Sequence, residues 1–143
     1  MTIRQIDDID ELMLWRAEVL GEVFSQTPDE PLLEANRQYF AEAPYVACIA
    51  SVDGVDAGCG AICLQREMPS PENPSGRCAY LMNIYVRRQF RCHGVGHSIV
   101  RWLIDKAREN SCDKIYLETT ALGREVYSDC GFVEMKDLLI LKQ

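Results

Sequence analysis

Between Asp7 and Phe24 apolar residues recur three and four apart, at Ile9, Leu12, Met13, Val19, Leu20 and Val23, and Arg16 falls at the same spacing. That period predicts an amphipathic helix with Asp7 or Asp8 as its N-cap. Before it, Thr2 to Ile6 alternates polar and apolar residues as a short strand does. Two prolines and a polar run make Ser25 to Pro31 a loop. Leu32, Leu33, Ala35, Tyr39 and Phe40 then outline a shorter helix over Leu32 to Ala43, which Pro44 stops.

Tyr45 to Val52 and Ala57 to Gln65 are rich in apolar and small residues, and Asp53-Gly54 between them is a hairpin signal, so they are expected to pair antiparallel. Three prolines with Ser, Asn and Gly keep Met68 to Arg77 on the surface, a common setting for substrate recognition. Cys78 to Val86 is the clearest strand. A basic stretch, Arg87 to Arg91, and the glycines Gly94 and Gly96 lead into a helix whose Val95, Ile99, Leu103 and Ala107 line one face, widened by Trp102 and ending near Asn110-Ser111. Lys114 to Thr119 reads as another strand, Leu122 to Asp129 as a short helix, and Phe132 to Leu141 as a final strand or hairpin. Strand, glycine turn, helix and strand make a βαβ-like unit behind an antiparallel front half, an α/β fold with a mixed central sheet.

Composition narrows the classes. A chain of 143 residues, 48% hydrophobic and 26% charged, suits one globular domain spanning 1–143. No apolar run approaches a membrane span and the N-terminus lacks a signal-peptide pattern, so a cytoplasmic location and no membrane partner are expected. Fifteen basic against 22 acidic residues give a net charge of −7, which argues against nucleic acid and leans toward a cationic substrate. Seven cysteines without a Cys-x-x-Cys pair exclude a zinc ribbon; several fall at apolar strand positions, where a reduced thiol is a small hydrophobe.

The chemistry concentrates at Arg91-Cys92-His93-Gly94-Val95-Gly96. A turn between a strand and a helix N-terminus presents unpaired backbone N–H groups and the positive end of the helix dipole, an anion site that glycines let a phosphate approach. A lone Gly-x-Gly equally fits a plain tight turn. A nucleotide P-loop is excluded because His97 and Ser98 follow Gly96 instead of Lys and Ser/Thr. Ile99 and the strands and helices that come first likewise speak against a dinucleotide fingerprint. His93 and His97 are four apart, but His93 precedes the helix, so no metal site is expected.

Taken with the strand ending Asn83-Ile84-Tyr85-Val86 and with Tyr127-Ser128-Asp129-Cys130-Gly131-Phe132 further on, Arg-x-x-Gly-x-Gly resembles the GCN5-related N-acetyltransferase (GNAT) family, over nearly the whole chain in element order. The resemblance implies the acyl-CoA N-acyltransferase fold and acetyl-CoA as co-substrate. It implies that the turn carrying Arg91, Cys92, His93, Gly94, Val95, Gly96 and His97 cradles the pyrophosphate, and that Ile84, Tyr85 and Val86 lie along a bulged strand whose backbone pairs with pantetheine. Backbone N–H near Ile84 or Tyr85 would polarise the thioester carbonyl. Tyr127 matches the family's usual acid, which returns a proton to the departing thiolate.

The base is less defined. Family members often carry a glutamate on the central strand, whereas Tyr80-Leu81-Met82-Asn83 has no carboxylate; water relayed by Asn83 or Tyr80, or Glu67 or Glu118, can serve instead. Thr120 stands where the family commonly has an asparagine at the cofactor, and its hydroxyl can still hydrogen-bond. No activated nucleophile is visible, so direct attack by a small-molecule amine in a ternary complex is expected. A pocket lined by Glu18, Glu22, Tyr39, Glu67 and Tyr80 would favour an enzyme, because those acidic and aromatic residues suit an amine. The competing reading is a non-catalytic or weakly catalytic acyl-CoA-binding or sensing module. Homodimer formation is plausible for such a chain but not legible in its residues.

Overall fold

The computed structural model describes all 143 residues. Five strands form one mixed sheet in sequential order: β1 (Thr2–Ile6), β2 (Tyr45–Val52), β3 (Val55–Arg66), β4 (Arg77–Val86) and β5 (Lys114–Leu117). The first four are antiparallel; β5 joins β4 in parallel after the crossover helix α3 (Val95–Glu109). Helices α1 (Ile9–Phe24) and α2 (Glu30–Glu42) link β1 to β2, and the short α4 (Arg124–Asp129) follows β5.

Local chemistry sets the boundaries. Asp8 caps α1 by accepting from Glu11 N at 3.0 Å, and Asp29 caps α2 by accepting from Leu32 N at 2.9 Å. Asp53 and Gly54 hold φ of 50° and 79°, the left-handed pair a two-residue hairpin turn demands. The 67–76 excursion is folded on itself: buried Asn73 donates Nδ2 to Glu67 Oε1 at 3.0 Å, closing the loop over Cys78.

Both sheet faces are covered. On one, Ile99, Val100 and Leu103 of α3 pack on Cys48, Ala50, Ile62 and Leu81; on the other, Leu12, Trp15 and Phe40 of α1 and α2 pack on Ala47, Ile49, Cys59 and Ala61. α3 sits close because β3 offers glycine: a Cβ at Gly60 would lie 2.6 Å from Ile99 Cγ2 and 2.9 Å from Leu103 Cδ1. All seven cysteines are free thiols, and Cys48, Cys59, Cys78 and Cys112 are buried. Burial pushes the Cys48 thiol up to about 12. No helix is long and apolar enough to cross a membrane.

Two expectations need correction. β5 stops at Leu117 rather than Thr119, because β4 bends away and leaves it no partner. Phe132 to Leu141 forms no strand; Val133, Leu139, Ile140 and Leu141 are all exposed. Four consecutive apolar residues from Leu138 to Leu141 give no in–out alternation, so nothing selects a register on the open edge of β5.

Candidate active site

A bulge in β4 opens the sheet. Cys59 of β3 faces Tyr85 and Ala61 faces Met82, so Asn83 and Ile84 together stand opposite Gly60, with Asn83 at φ 59°. On its other side β4 pairs with β5 only from Cys78 to Leu81. Met82 to Val86 therefore present a free backbone edge along a widening gap. Asn83 is locked at the bulge: its carbonyl accepts from Cys59 Sγ at 3.2 Å and its Oδ1 accepts from Arg16 Nη1 at 2.9 Å. Ile84 and Val86 turn into the α3 face, whereas Tyr85 packs toward α1.

One end of the gap is closed by the glycine turn. Cys92 and Gly94 take φ of 65° and 80°, and Gly94 N-caps α3 with no side-chain hydrogen bond. The first-turn N–H groups of Val95, Gly96 and His97 thus lack intrahelical acceptors. Arg91 is exposed and anchored by donating Nε to Val86 O at 2.8 Å. The histidines have separate jobs: His93 Nδ1 lies 2.6 Å from Arg91 O, and His97 Nε2 lies 2.9 Å from Asp129 Oδ2, tying α3 to α4. Arg87 is turned away from the turn. It grips Glu18 through Nε and Nη2 at 2.9 and 2.8 Å and lies 4.2 Å over the Trp15 ring.

Tyr127 of α4 stands on the β5 side. Its half-buried ring meets Phe132 edge-on at 6.0 Å, and its hydroxyl has no protein acceptor. Burial pushes the phenol up, so the protonated form is favoured. Thr120 is exposed before α4, its carbonyl accepting from Thr119 Oγ1 at 2.9 Å. A groove of about 790 Å³ runs along the outer edge of β5, beneath Phe132 to Met135, and Tyr116, Glu118 and Tyr127 are part of its lining.

Beyond the cover of α1 and α2, the same sheet face displays Cys63, Gln65, Tyr80, Met82 and Tyr116. The Tyr80 and Tyr116 rings lie 4.8 Å apart, and Tyr116 donates its hydroxyl to Gln65 Oε1 at 2.6 Å. Burial first, then the neighbouring Glu118 carboxylate, pushes the Tyr80 phenol up to about 12. Among the groups considered as base, Glu67 is occupied: Asn73 and Lys114 hold it below the usual carboxylate range, with Lys114 Nζ at 3.1 Å. Glu118 is exposed beside Tyr80. Of the acidic residues that would suit an amine, Glu18 and Glu67 each already have a cation.

Sequence reasoning overlooked Arg16, Gln65 and Tyr116 as members of this surface. For Arg16 the sequence shows only a cation on the apolar stripe of α1, which does not by itself point to the site.

The chain belongs to the GNAT family of acetyltransferases, whose family model, described as Acetyltransferase (GNAT) family, matches residues 9–132. It is 30% identical over 123 residues to glucosamine 6-phosphate N-acetyltransferase 1 of Oryza sativa subsp. japonica, covering 80% of this chain and 73% of that protein. A predicted acetyltransferase of Clostridium acetobutylicum solved with acetyl-CoA superposes with a TM-score of 0.85 at 24% identity, covering 99% of this chain and 95% of that one. The aminoglycoside N-acetyltransferase AAC(6')-Iy, solved with CoA, has a TM-score of 0.77 at 18% identity and covers 99% and 93% of the two chains. These structures share the GNAT fold with this chain.

Proposed function

We propose that this enzyme transfers the acetyl group of acetyl-CoA to the primary amine of a small molecule by direct attack in a ternary complex. The observation that carries this reading is the gap between Met82–Val86 and β5, which has at one end the N-terminus of α3, free of any side-chain cap, with α4 and its Tyr127 packed beside α3. The donor set fits the co-substrate. Val95, Gly96 and His97 offer backbone N–H groups to a pyrophosphate, Arg88 and Arg91 stand exposed nearby, and the free edge of β4 can pair with an amide-bearing pantetheine arm.

With the arm laid along that edge, backbone N–H at Ile84 or Tyr85 donates to the thioester oxygen as negative charge develops there. An alkyl ammonium has a pKa of about 10.4, so its proton must leave before attack. Glu118 beside Tyr80, or water held at the Tyr80 and Asn83 polar groups, takes it. The neutral amine then attacks the carbonyl carbon, the C–S bond breaks, Tyr127 gives its proton to the departing thiolate, and the surplus proton on the new amide nitrogen passes through water to restore the Tyr127 phenol. The Oryza relative bears the name of a glucosamine 6-phosphate acetyltransferase, and the aminoglycoside enzyme likewise acts on amines carried by sugars. Both support a small soluble acceptor.

The test is free-thiol release from acetyl-CoA over a panel of amino sugars, aminoglycosides, polyamines and amino acids. Amine-dependent release is expected. An acetyl-CoA-induced rise in Tm with no amine giving turnover would replace this reading by the acyl-CoA-binding module.

A further inference from the structure

Arg4, Arg37 and Arg87, the other arginines around the α1 side of the sheet, each pair with a carboxylate. Arg16 does not. It sits mid-α1 among Leu12, Met13, Val19 and Leu20, half-buried. Its Nε donates to Asn36 Oδ1 at 2.8 Å and its Nη1 to Asn83 Oδ1 at 2.9 Å. Asn36 is itself fixed, donating Nδ2 to Leu32 O at 2.9 Å. Both acceptors are neutral amide oxygens. They aim the guanidinium without balancing its charge, and burial works against that charge.

The guanidinium fork has five N–H donors, and those on Nη2 have no protein acceptor. It is therefore a half-dry, pre-oriented cation that still lacks an anion. Its place matters: it is bonded to the bulge residue Asn83, near the β3 thiols of Cys59 and Cys63, bordering the surface of Tyr80 and Met82 where the amine must approach the thioester.

Resting on the acetyltransferase reading of the same site, we infer that Arg16 is a specificity determinant that binds an oxyanion, carboxylate or phosphate, carried by the acceptor amine. The acceptor is then a zwitterionic or anionic amine, not a polycation. Arg16 holds its acidic end, while Glu118, on the β5 side of β4, faces its ammonium end. Two parallel N–H···O bonds from a planar fork suit carboxylate and phosphate equally. The net charge of −7 gives the opposite impression because it averages a surface on which this one cation is locally unopposed.

Matched acceptor pairs decide the matter: D-glucosamine 6-phosphate against D-glucosamine, and L-phenylalanine against L-phenylalaninamide. Each is assayed by thiol release with the wild type, Arg16→Gln and Arg16→Lys, alongside acetyl-CoA affinity and Tm. The wild type should favour the anionic member of one pair by about tenfold or more in kcat/KM, and the responsive pair tells phosphate from carboxylate. Arg16→Gln should raise KM for that member by a similar factor with little change in kcat, in acetyl-CoA affinity or in the neutral member's KM. Arg16→Lys should retain part of the preference. Acetyl transfer by the wild type with no preference in either pair overturns the inference and leaves the acetyltransferase reading standing. So does an Arg16→Gln variant that loses both members of a pair equally, which would make Arg16 a positioning residue for the bulge. If the wild type binds acetyl-CoA yet acetylates no amine, the functional reading fails and this inference with it.

Discussion

A phenol serves as an acid only if it keeps its proton until the thiolate leaves. Burial of Tyr127 raises its pKa from an already high value, so the acid form persists through the neutral range and beyond. Tyr127→Phe should lower kcat by about 100-fold while leaving acetyl-CoA affinity unchanged. The wild-type kcat should show no alkaline limb below about pH 9. An unchanged kcat in the variant, or a wild-type limb near neutrality that the variant lacks, would remove Tyr127 from the mechanism. Cys92 gives a second reading of the site, since it is the one exposed cysteine and lies in the glycine turn. Iodoacetamide should modify it first, and acetyl-CoA should slow that modification; equal rates with and without co-substrate would place the pyrophosphate elsewhere. Tyr127 was legible beforehand because it belongs to a local motif ending in Gly131-Phe132. Arg16 was not, because its meaning depends on Asn36 and Asn83, which the fold brings from distant parts of the chain.

Elements were legible where one period ruled. α3, with Val95, Ile99, Leu103 and Ala107 all buried, and the β2–β3 hairpin at Asp53-Gly54 follow their patterns closely. The bulge was expected from the family resemblance alone; no local pattern shows it, because it exists as a mismatch between β3 and β4, and Asn at positive φ leaves no mark in a sequence. The C-terminal segment was misread because apolar content alone does not make a strand. Two glycines separate packing from binding at the element scale. Gly60→Ala drives a methyl into Ile99 and Leu103 and should cost about 1–3 kcal/mol in stability by chemical denaturation. At Gly96 a Cβ would stand 3.7 Å from Val86 Cγ2 and 4.0 Å from Val126 Cγ1, so Gly96→Ala should leave Tm nearly unchanged. It should nevertheless weaken acetyl-CoA binding by about tenfold, because the methyl borders the N–H groups offered to the pyrophosphate. A variant that keeps full affinity would argue against phosphate at α3.

For the whole molecule, the front and back halves are tied by Arg87, which links β4 to Glu18 of α1 and caps the Trp15 ring. The Arg87 hydrogen bonds hold the Glu18 carboxyl below its usual range. A depressed carboxylate contributes stability above its unfolded pKa, about 4.3, and loses it as pH falls through the lower folded value. Tm should therefore fall in acid, and Glu18→Gln should flatten that fall between about pH 5 and pH 3 while lowering Tm at neutral pH. Identical wild-type and variant profiles would mean the pair does not couple the halves. The overall charge of −7 said little about the acceptor, since Glu18 and Glu67 are answered within the fold and Arg16 is not. The central claim is transfer from acetyl-CoA straight to an amine while both are held. It is tested most directly by initial velocities measured over a grid of acetyl-CoA and acceptor concentrations, with the best acceptor from the amine panel. Lines that intersect in double-reciprocal form are predicted; parallel lines would mean that the acetyl group first rests on the enzyme, and would contradict it.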